Sequence, residues 1–115
     1  MRAGTHICAV GASRPPEQEL DAETVAEASL FADRRESLVH EAADYQEALR
    51  RGLIPGPAHI RAELADLVLG RHPGRRSVEE VTVFRSMGLA IEDVAAAGYA
   101  FHRAVEQGEG CWVEV

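Results

Sequence analysis

Two short stretches of this sequence place a hydroxyl side chain beside glycine, directly after a predicted β-strand. Gly11-Ala12-Ser13 follows the apolar run at residues 7–10, and Ser86-Met87-Gly88 follows residues 81–84, which are rich in branched and aromatic side chains. In sheets built from alternating strands and helices, ligands bind at loops that follow the carboxyl ends of strands. Both stretches are therefore candidate ligand loops for a phosphate or a flat ring. The plain alternative for the first is a strand-to-helix turn.

Other arrangements of reactive side chains give weak signals. The five histidines include no pair at metal-ligand spacing, and Cys8 and Cys111 match no metal or redox motif. Neither Ser13 nor Ser86 lies in the Gly-x-Ser-x-Gly context of a serine nucleophile, and a Gly-x-Gly-x-x-Gly dinucleotide fingerprint is not present. The residues alone thus predict no metal site and no catalytic residue. Two cysteines without a motif are typical of a reducing compartment, so we expect a cytoplasmic protein.

Composition restricts the partners. The 115 residues carry a net charge of −7, and 46% of them are apolar and 27% charged, as in an ordinary soluble globular domain. An acidic chain argues against nucleic acid and against an anionic membrane surface, because both require a basic face. No apolar run is long enough for a membrane span.

Strands and helices alternate around the two loops. Asp21 is predicted to cap a helix that ends near Ala28, with Leu20 and Val25 as a hydrophobic staple. A second buried strand covers residues 30–32. The later predicted elements are one bent or two short helices over 37–51 with caps at Ser37 and Asp44, a turn at 53–57, a helix over 58–69, a strand over 81–84 and a long helix from about 89 to 107.

Two details of this pattern concern the surroundings of the loops. Asp33 follows the second strand, where ligand contacts occur in such sheets, but a local pairing with Arg34 or Arg35 is the expected arrangement. The long helix is expected to pack an apolar stripe against the sheet, with a subunit contact as the alternative. The stripe comprises Ile91, Val94, Ala95, Gly98, Phe101 and Val105. Residues 111–115 are expected to be extended. Three roles stay open for Trp112 in this segment: it covers an apolar patch, it lies in an added edge strand, or it belongs to a frayed terminus.

Three strands separated by helices predict an α/β domain. It would contain a small parallel sheet of about three strands, crossover helices and a long C-terminal helix. The edges of such a small sheet are exposed unless another chain or the terminal segment covers them. We therefore expect a homo-oligomer, most simply a dimer.

Several segments, in the right order, also carry a resemblance to a known family. They are Gly4-Thr5-His6-Ile7, Ala9-Val10-Gly11-Ala12-Ser13-Arg14-Pro15, Glu19-Leu20-Asp21, Ala62-Glu63-Leu64, Gly70, Pro73-Gly74, Thr82-Val83-Phe84, Ser86, Gly88, Ala90, Glu92 and Asp93. Over residues 4 to about 107 the sequence resembles the ornithine cyclodeaminase and mu-crystallin family. The resemblance implies that residues 1–115 are a single truncated NAD(P)-binding Rossmann-like domain, equivalent to about the last third of a family member.

The resemblance also implies a site. Members of the mu-crystallin-like ketimine reductase branch share the Gly-Ala-Ser-Arg-Pro that begins at Gly11, whereas the cyclodeaminase branch carries an acidic residue where this chain has Ser13. By that analogy Ser13 and Ser86 contact the cofactor, and Met87 and Gly88 line the same pocket. The cofactor of the whole protein would be NADP or NAD.

The resemblance leaves out parts that catalysis requires. The dinucleotide fingerprint, and the arginine and lysine that hold the substrate carboxylate, belong to family segments outside the likeness. We therefore expect a fragment of an NAD(P)H-dependent ketimine or imine reductase or amino-acid dehydrogenase that is not catalytic alone and binds cofactor weakly. The alternative is a stand-alone oligomeric binding or assembly module that reuses the half-domain.

Overall fold

The structure, a computed structural model, describes residues 1–12, 14 and 16–113. Strands and helices alternate along the chain. The strands are β1 (His6–Ala9), β2 (Ser29–Ala32), β3 (Ile60–Glu63) and β4 (Thr82–Arg85). The helices are α1 (Ala22–Glu27), α2 (Arg35–Glu41), α3 (Ala43–Arg50), α4 (Leu64–Val68) and α5 (Ala90–Gln107), and a 3₁₀ turn covers Pro57–His59.

In the described part of the chain, the four strands form one sheet in the order β1-β4-β2-β3, and every neighbouring pair is parallel. The last strand in sequence therefore lies between the first two. His6 is opposite Thr82, and Leu30 is opposite both Val83 and Ile60. The predicted parallel α/β class is confirmed. Because all strands run the same way, their carboxyl ends meet at one edge of the sheet.

The sheet has one strand more than predicted, because the helix expected over residues 58–69 is wrong for its first half. That segment contains the 3₁₀ turn, then β3, and only then the short helix α4. In β3, Ile60 and Ala62 are buried while Arg61 between them is exposed. This period of two suits pairing with the free edge of β2, and it outweighs the helical spacing of the apolar residues.

The main core lies between one face of the sheet and helices α1 to α3. Its fully buried members include Val25 of α1, Leu38 of α2, Tyr45 of α3, Leu30 of β2 and Val83 of β4. The opposite face of the sheet is less covered. There, Phe31 and Phe84 line a cleft of about 530 Å³, together with His6, Leu64, Leu67, Gly74, Arg75 and Thr82.

The beginning of α1 is confirmed as predicted. The Asp21 carboxylate accepts a hydrogen bond from the Thr24 N–H at 2.7 Å, and Leu20 packs against the core cluster that includes Val25. The region 37–51 forms two short helices, one of the two predicted arrangements. The first begins at Arg35, so Ser37 lies inside α2 and does not cap it.

The apolar stripe of α5 does not pack against the sheet, so the expected packing within this chain is wrong. No residue of α5 is buried, and Ile91, Val94, Phe101 and Val105 are each more than half exposed. Trp112 is 89% exposed, its ring 6.5 Å from that of Phe101. Residues 111–113 form no strand. Among the described helices, none is long and apolar enough to cross a membrane.

Candidate functional site

The two predicted ligand loops lie side by side at the carboxyl edge of the sheet. Ala9 at the end of β1 is opposite Arg85 at the end of β4, and the Ser86 N–H donates to the Ala9 carbonyl at 3.0 Å. This neighbourhood arises because β4 inserts next to β1. Ser13, the serine of the first loop, lies outside the described residues.

The three predicted site residues of the second loop have different exposures. Ser86 is half-buried and Gly88 is exposed, with φ at +83°. This φ lies in the left-handed region that favours glycine, which explains the residue type at this turn. The Met87 side chain is only 8% exposed and packs into the main core. Of the three, Ser86 and Gly88 therefore present the loop to solvent, while Met87 anchors it.

The Asp33 carboxylate holds the second loop by hydrogen bonds. It lies just beyond β2, is 5% exposed, and its Oδ2 accepts hydrogen bonds from the Ser86 hydroxyl at 2.9 Å, the Met87 N–H at 2.8 Å and the Gly88 N–H at 2.7 Å. Its Oδ1 accepts from the Arg34 N–H at 2.7 Å. The expected pairing with the Arg34 or Arg35 side chain is therefore wrong. The Arg34 guanidinium pairs with Glu36 instead.

Arg85 joins the two loops through their carbonyl groups. Its guanidinium donates to the carbonyls of Ala12 at 2.5 Å, Ser86 at 3.0 Å and Ala9 at 3.4 Å, although the side chain is only 1% exposed. The positive charge is balanced by Asp44, which is fully buried and accepts from Nε at 3.0 Å. Buried charges persist only when they are paired and hydrogen-bonded in this way.

Glu19 completes this charge network on the side of the first loop. Its carboxylate lies 3.2 Å from Arg85 Nη1. The hydrogen bond from the Ala12 backbone has the largest effect and lowers the pKa of Glu19, burial opposes it, and the Gly11 backbone and the Arg85 charge lower the pKa further. A Cβ atom on Gly11 would lie 2.7 Å from Glu19 Oε1, so a larger residue there would push the Glu19 carboxylate aside.

This arrangement limits what the loops can bind. The described backbone N–H groups that could cradle a phosphate, at Gly11, Ala12, Met87 and Gly88, are directed to the carboxylates of Glu19 and Asp33. The negative charges of these two carboxylates also disfavour the binding of an anionic ligand at this edge of the sheet. The residues present therefore fit the uncharged ring end of a dinucleotide and do not fit its pyrophosphate. When bound, a reduced nicotinamide supplies a hydride.

An open cleft of about 630 Å³ adjoins Asp33 between the carboxyl ends of β2 and β3. Its walls include Arg34, His40, Glu63 and Leu89. Leu89 directly follows Gly88, so the cleft extends the candidate site away from β1. Within the described ranges, no three His, Cys, Asp or Glu side chains are grouped so that they could hold a metal ion.

Sequence reasoning missed Arg85, Asp44 and Glu19 and assigned Asp33 other partners. One signal was available, since Arg85 is a charged residue at the end of an otherwise apolar buried strand. Its partners could not be deduced, because Asp44 is 41 positions and Ala12 is 73 positions away in the chain.

Comparison with known proteins agrees with the fold. The model of the ornithine cyclodeaminase/mu-crystallin family matches residues 1–108. The chain belongs to this family. It is 40% identical over 115 residues to a Delta(1)-pyrroline-2-carboxylate reductase of Bacillus cereus, a match that covers 99% of this chain and 35% of that protein. It is also 42% identical over 97 residues to the ketimine reductase mu-crystallin of Mus musculus, covering 84% of this chain and 28% of that protein.

Solved structures of family proteins show the same fold. The Delta(1)-pyrroline-2-carboxylate reductase of Thermococcus litoralis in complex with NADH and L-proline has a TM-score of 0.88 and 42% identity, covering 98% of this chain and 35% of that one. An archaeal alanine dehydrogenase dimer with bound NAD has a TM-score of 0.82 and 36% identity, with coverages of 98% and 35%. The chain thus spans about a third of the length of these relatives.

Proposed function

We propose that the chain supplies the part of an NAD(P)-binding Rossmann-like domain that holds the nicotinamide end of the cofactor in an imine or ketimine reductase or amino-acid dehydrogenase. The observation that carries this proposal is the pair of adjacent loops at the carboxyl ends of β1 and β4, joined by Arg85 and held by Asp33. Residues 1–115 act as one unit in this role. The relatives with bound NADH or NAD support it.

Each predicted site residue has a proposed part. Ser86 and Gly88 form the exposed rim of the second loop, and Met87 fixes that rim through its buried side chain. Ser13 is proposed to face the cofactor from the first loop. The mu-crystallin-like sequence at Gly11-Ala12-Ser13 favours imine reduction over ornithine cyclisation.

The chain alone is not expected to turn over an imine. Holding nicotinamide and substrate in reactive geometry contributes roughly 7 to 11 kcal/mol to catalysis, and the backbone N–H groups described in the two ligand loops are already paired with Glu19 and Asp33. The relatives named above are reductases and an alanine dehydrogenase, which supports this function over the stand-alone assembly module.

A chimera tests the function directly. This chain replaces the matching third of the Bacillus cereus reductase, and NADH binding is followed by the fluorescence of the reduced nicotinamide. We expect the chimera to bind NADH and reduce Δ1-pyrroline-2-carboxylate, while the isolated chain does not. Ser86→Ala in the chimera removes one neutral hydrogen bond and should weaken binding by about 0.5 to 1.5 kcal/mol. A chimera that folds like the parent but binds no NADH contradicts the proposal, and so does turnover by the isolated chain.

We also propose that the chain forms a homodimer in the cytoplasm. The exposed apolar stripe of α5 supports the dimer, and the two exposed free cysteines, Cys8 and Cys111, support a reducing compartment. Light scattering of Phe101→Glu, with Ala96→Glu on the opposite side of the helix as control, tests the interface. Only Phe101→Glu should lower the mass to that of a monomer. A monomeric wild-type chain at high concentration argues against the dimer.

A further inference from the structure

The Ser86 hydroxyl has a fixed direction because of the groups around Asp33. Both oxygens of this carboxylate face backbone N–H groups, Oδ1 that of Arg34 and Oδ2 those of Met87 and Gly88. An N–H can only donate, so both oxygens accept, and a carboxylate has only acceptor positions to offer Ser86. The contact of 2.9 Å between Ser86 Oγ and Asp33 Oδ2 therefore requires the serine to donate.

The donation leaves Ser86 without a proton for a ligand. A serine hydroxyl has one proton and two lone pairs. The proton is directed to Asp33. The Gly88 N–H, which donates to Asp33 Oδ2 at 2.7 Å, also lies 3.2 Å from the serine oxygen as the weaker branch of a shared hydrogen bond. At least one acceptor position therefore remains on this oxygen among the described contacts.

The backbone donor of Ser86 is also used. Its N–H donates to the Ala9 carbonyl at 3.0 Å, and its carbonyl accepts from the Arg85 guanidinium at 3.0 Å. Among the described contacts, the half-buried Ser86 therefore has no donor left for a ligand and offers only acceptor positions.

We propose that Asp33 is a positioning residue that makes Ser86 a hydrogen-bond acceptor toward the ligand. The ligand group that meets Ser86 must then carry an N–H or O–H donor. The carboxamide NH₂ of a nicotinamide has this chemistry, whereas a phosphate, carboxylate or ketone oxygen does not. The inference rests on the proposed function for the identity of the ligand, but the direction of the hydroxyl follows from this chain alone.

The direction of the hydroxyl is tested without any ligand. In an equal mixture of H₂O and D₂O, a hydroxyl proton held by a carboxylate exchanges slowly and gives the serine Cβ two NMR signals. We expect two signals for Ser86 Cβ in the wild-type chain. A single averaged signal, as for a freely exchanging hydroxyl, would overturn the proposal.

The positioning role of Asp33 is tested by hydrogen exchange. In Asp33→Asn, the amide group must turn an NH₂ toward backbone N–H donors on one side, so at least one set of hydrogen bonds is lost. The Met87 and Gly88 amides should lose at least about tenfold in protection, equivalent to about 1.4 kcal/mol. Asp66→Asn, the same change at an exposed carboxylate 4.0 Å from Arg71, serves as the control and should leave both amides protected. Equal protection in Asp33→Asn and the control contradicts the role.

The ligand class is tested with two cofactors. NADH and its 3-acetylpyridine analogue differ in that a methyl group replaces the NH₂ of the carboxamide. The chimera with the Bacillus cereus reductase should bind the analogue about two- to tenfold more weakly than NADH, as expected for one lost hydrogen bond. In the Ser86→Ala chimera the ratio of the two affinities should approach one. Equal affinities in the chimera that keeps Ser86 would refute the donor requirement. If the chimera binds neither compound, the proposed function fails, while the two tests without ligand still decide the role of Asp33.

Discussion

Replacing Asp44 by asparagine should destabilise the fold more than any comparable surface change. Asp44 is fully buried, and its Oδ2 accepts from Arg85 Nε at 3.0 Å while its Oδ1 accepts from the Tyr45 N–H at 2.9 Å. The asparagine side chain could keep the second bond through its oxygen. Its NH₂ would then face the Nε–H of Arg85, placing two donors opposite each other and leaving the buried cation without its nearest anion.

The magnitude follows from the burial of both partners. Breaking a buried ion pair by removing one partner costs about 3 to 5 kcal/mol. Glu19, 3.2 Å from the same guanidinium but 31% exposed, compensates part of this loss, so we expect about 2 to 4 kcal/mol. Such a loss is a large fraction of the roughly 5 to 15 kcal/mol that stabilises a typical domain.

Urea unfolding followed by circular dichroism measures this loss. With a denaturant slope of about 1.5 kcal/mol per molar urea, a loss of about 3 kcal/mol lowers the midpoint by about 2 M. Asp66→Asn removes an exposed carboxylate 4.0 Å from Arg71 and should change stability by less than about 1 kcal/mol. Midpoints that fall equally in the two variants would show that the Arg85 network does not hold the loops together.

Three further changes have expected outcomes. Tyr45→Phe should stabilise the fold by up to about 1 kcal/mol in thermal unfolding, because the buried Tyr45 hydroxyl lacks a hydrogen-bond partner in the described structure; a lower melting temperature would contradict this. The hydrogen bond from the Ala12 N–H lowers the pKa of Glu19 in the folded state, so on acidification the unfolded chain binds a proton at this residue first. The stabilisation that ionised Glu19 gives the fold should therefore be lost as the pH falls below the ordinary pKa of 4.5. Equal urea midpoints at about pH 7 and about pH 3.5 would refute this pH dependence. Gly4→Ala places a Cβ 2.5 Å from the Val78 carbonyl oxygen at a φ of +76°, whereas Gly52→Ala, at a similar φ of +70°, places its Cβ in open space. Urea unfolding should show the larger loss of stability, about 2 kcal/mol or more, for Gly4→Ala. Equal losses in the two variants would be inconsistent with the close approach at Gly4.

The sequence predicted the elements whose local pattern is strong. The α1 cap at Asp21, the strands before both ligand loops and the extent of α5, expected at about 89–107 and found at Ala90–Gln107, depend on residues close together in the chain. The adjacency of the two loops also follows from a parallel sheet in which β1 and β4 are neighbours, although the order of the strands was not predicted.

What the sequence could not predict depends on contacts between distant residues. The strand β3 exists because β2 offers an edge for Ile60 and Ala62, which overrides their helical spacing. The ion pair of Arg85 and Asp44 joins residues 41 positions apart, and no local pattern pairs them. The cofactor contacts of Ser13, Ser86, Met87 and Gly88 remain predictions that the binding experiments address.

The position of β4 between β1 and β2 imposes an order on folding during synthesis. β1 is complete at Ala9, but its hydrogen-bonding neighbour begins only at Thr82, about 70 residues later. At roughly 5 to 20 residues per second, the ribosome needs several seconds to more than ten seconds to deliver that partner. The pair β2 and β3 can form early, whereas the first strand must wait for β4. A nascent chain arrested before Thr82 should therefore leave one edge of residues 6–9 and one edge of β2 unpaired, and synthesis of the remaining residues should complete the sheet by insertion of β4 between these two strands.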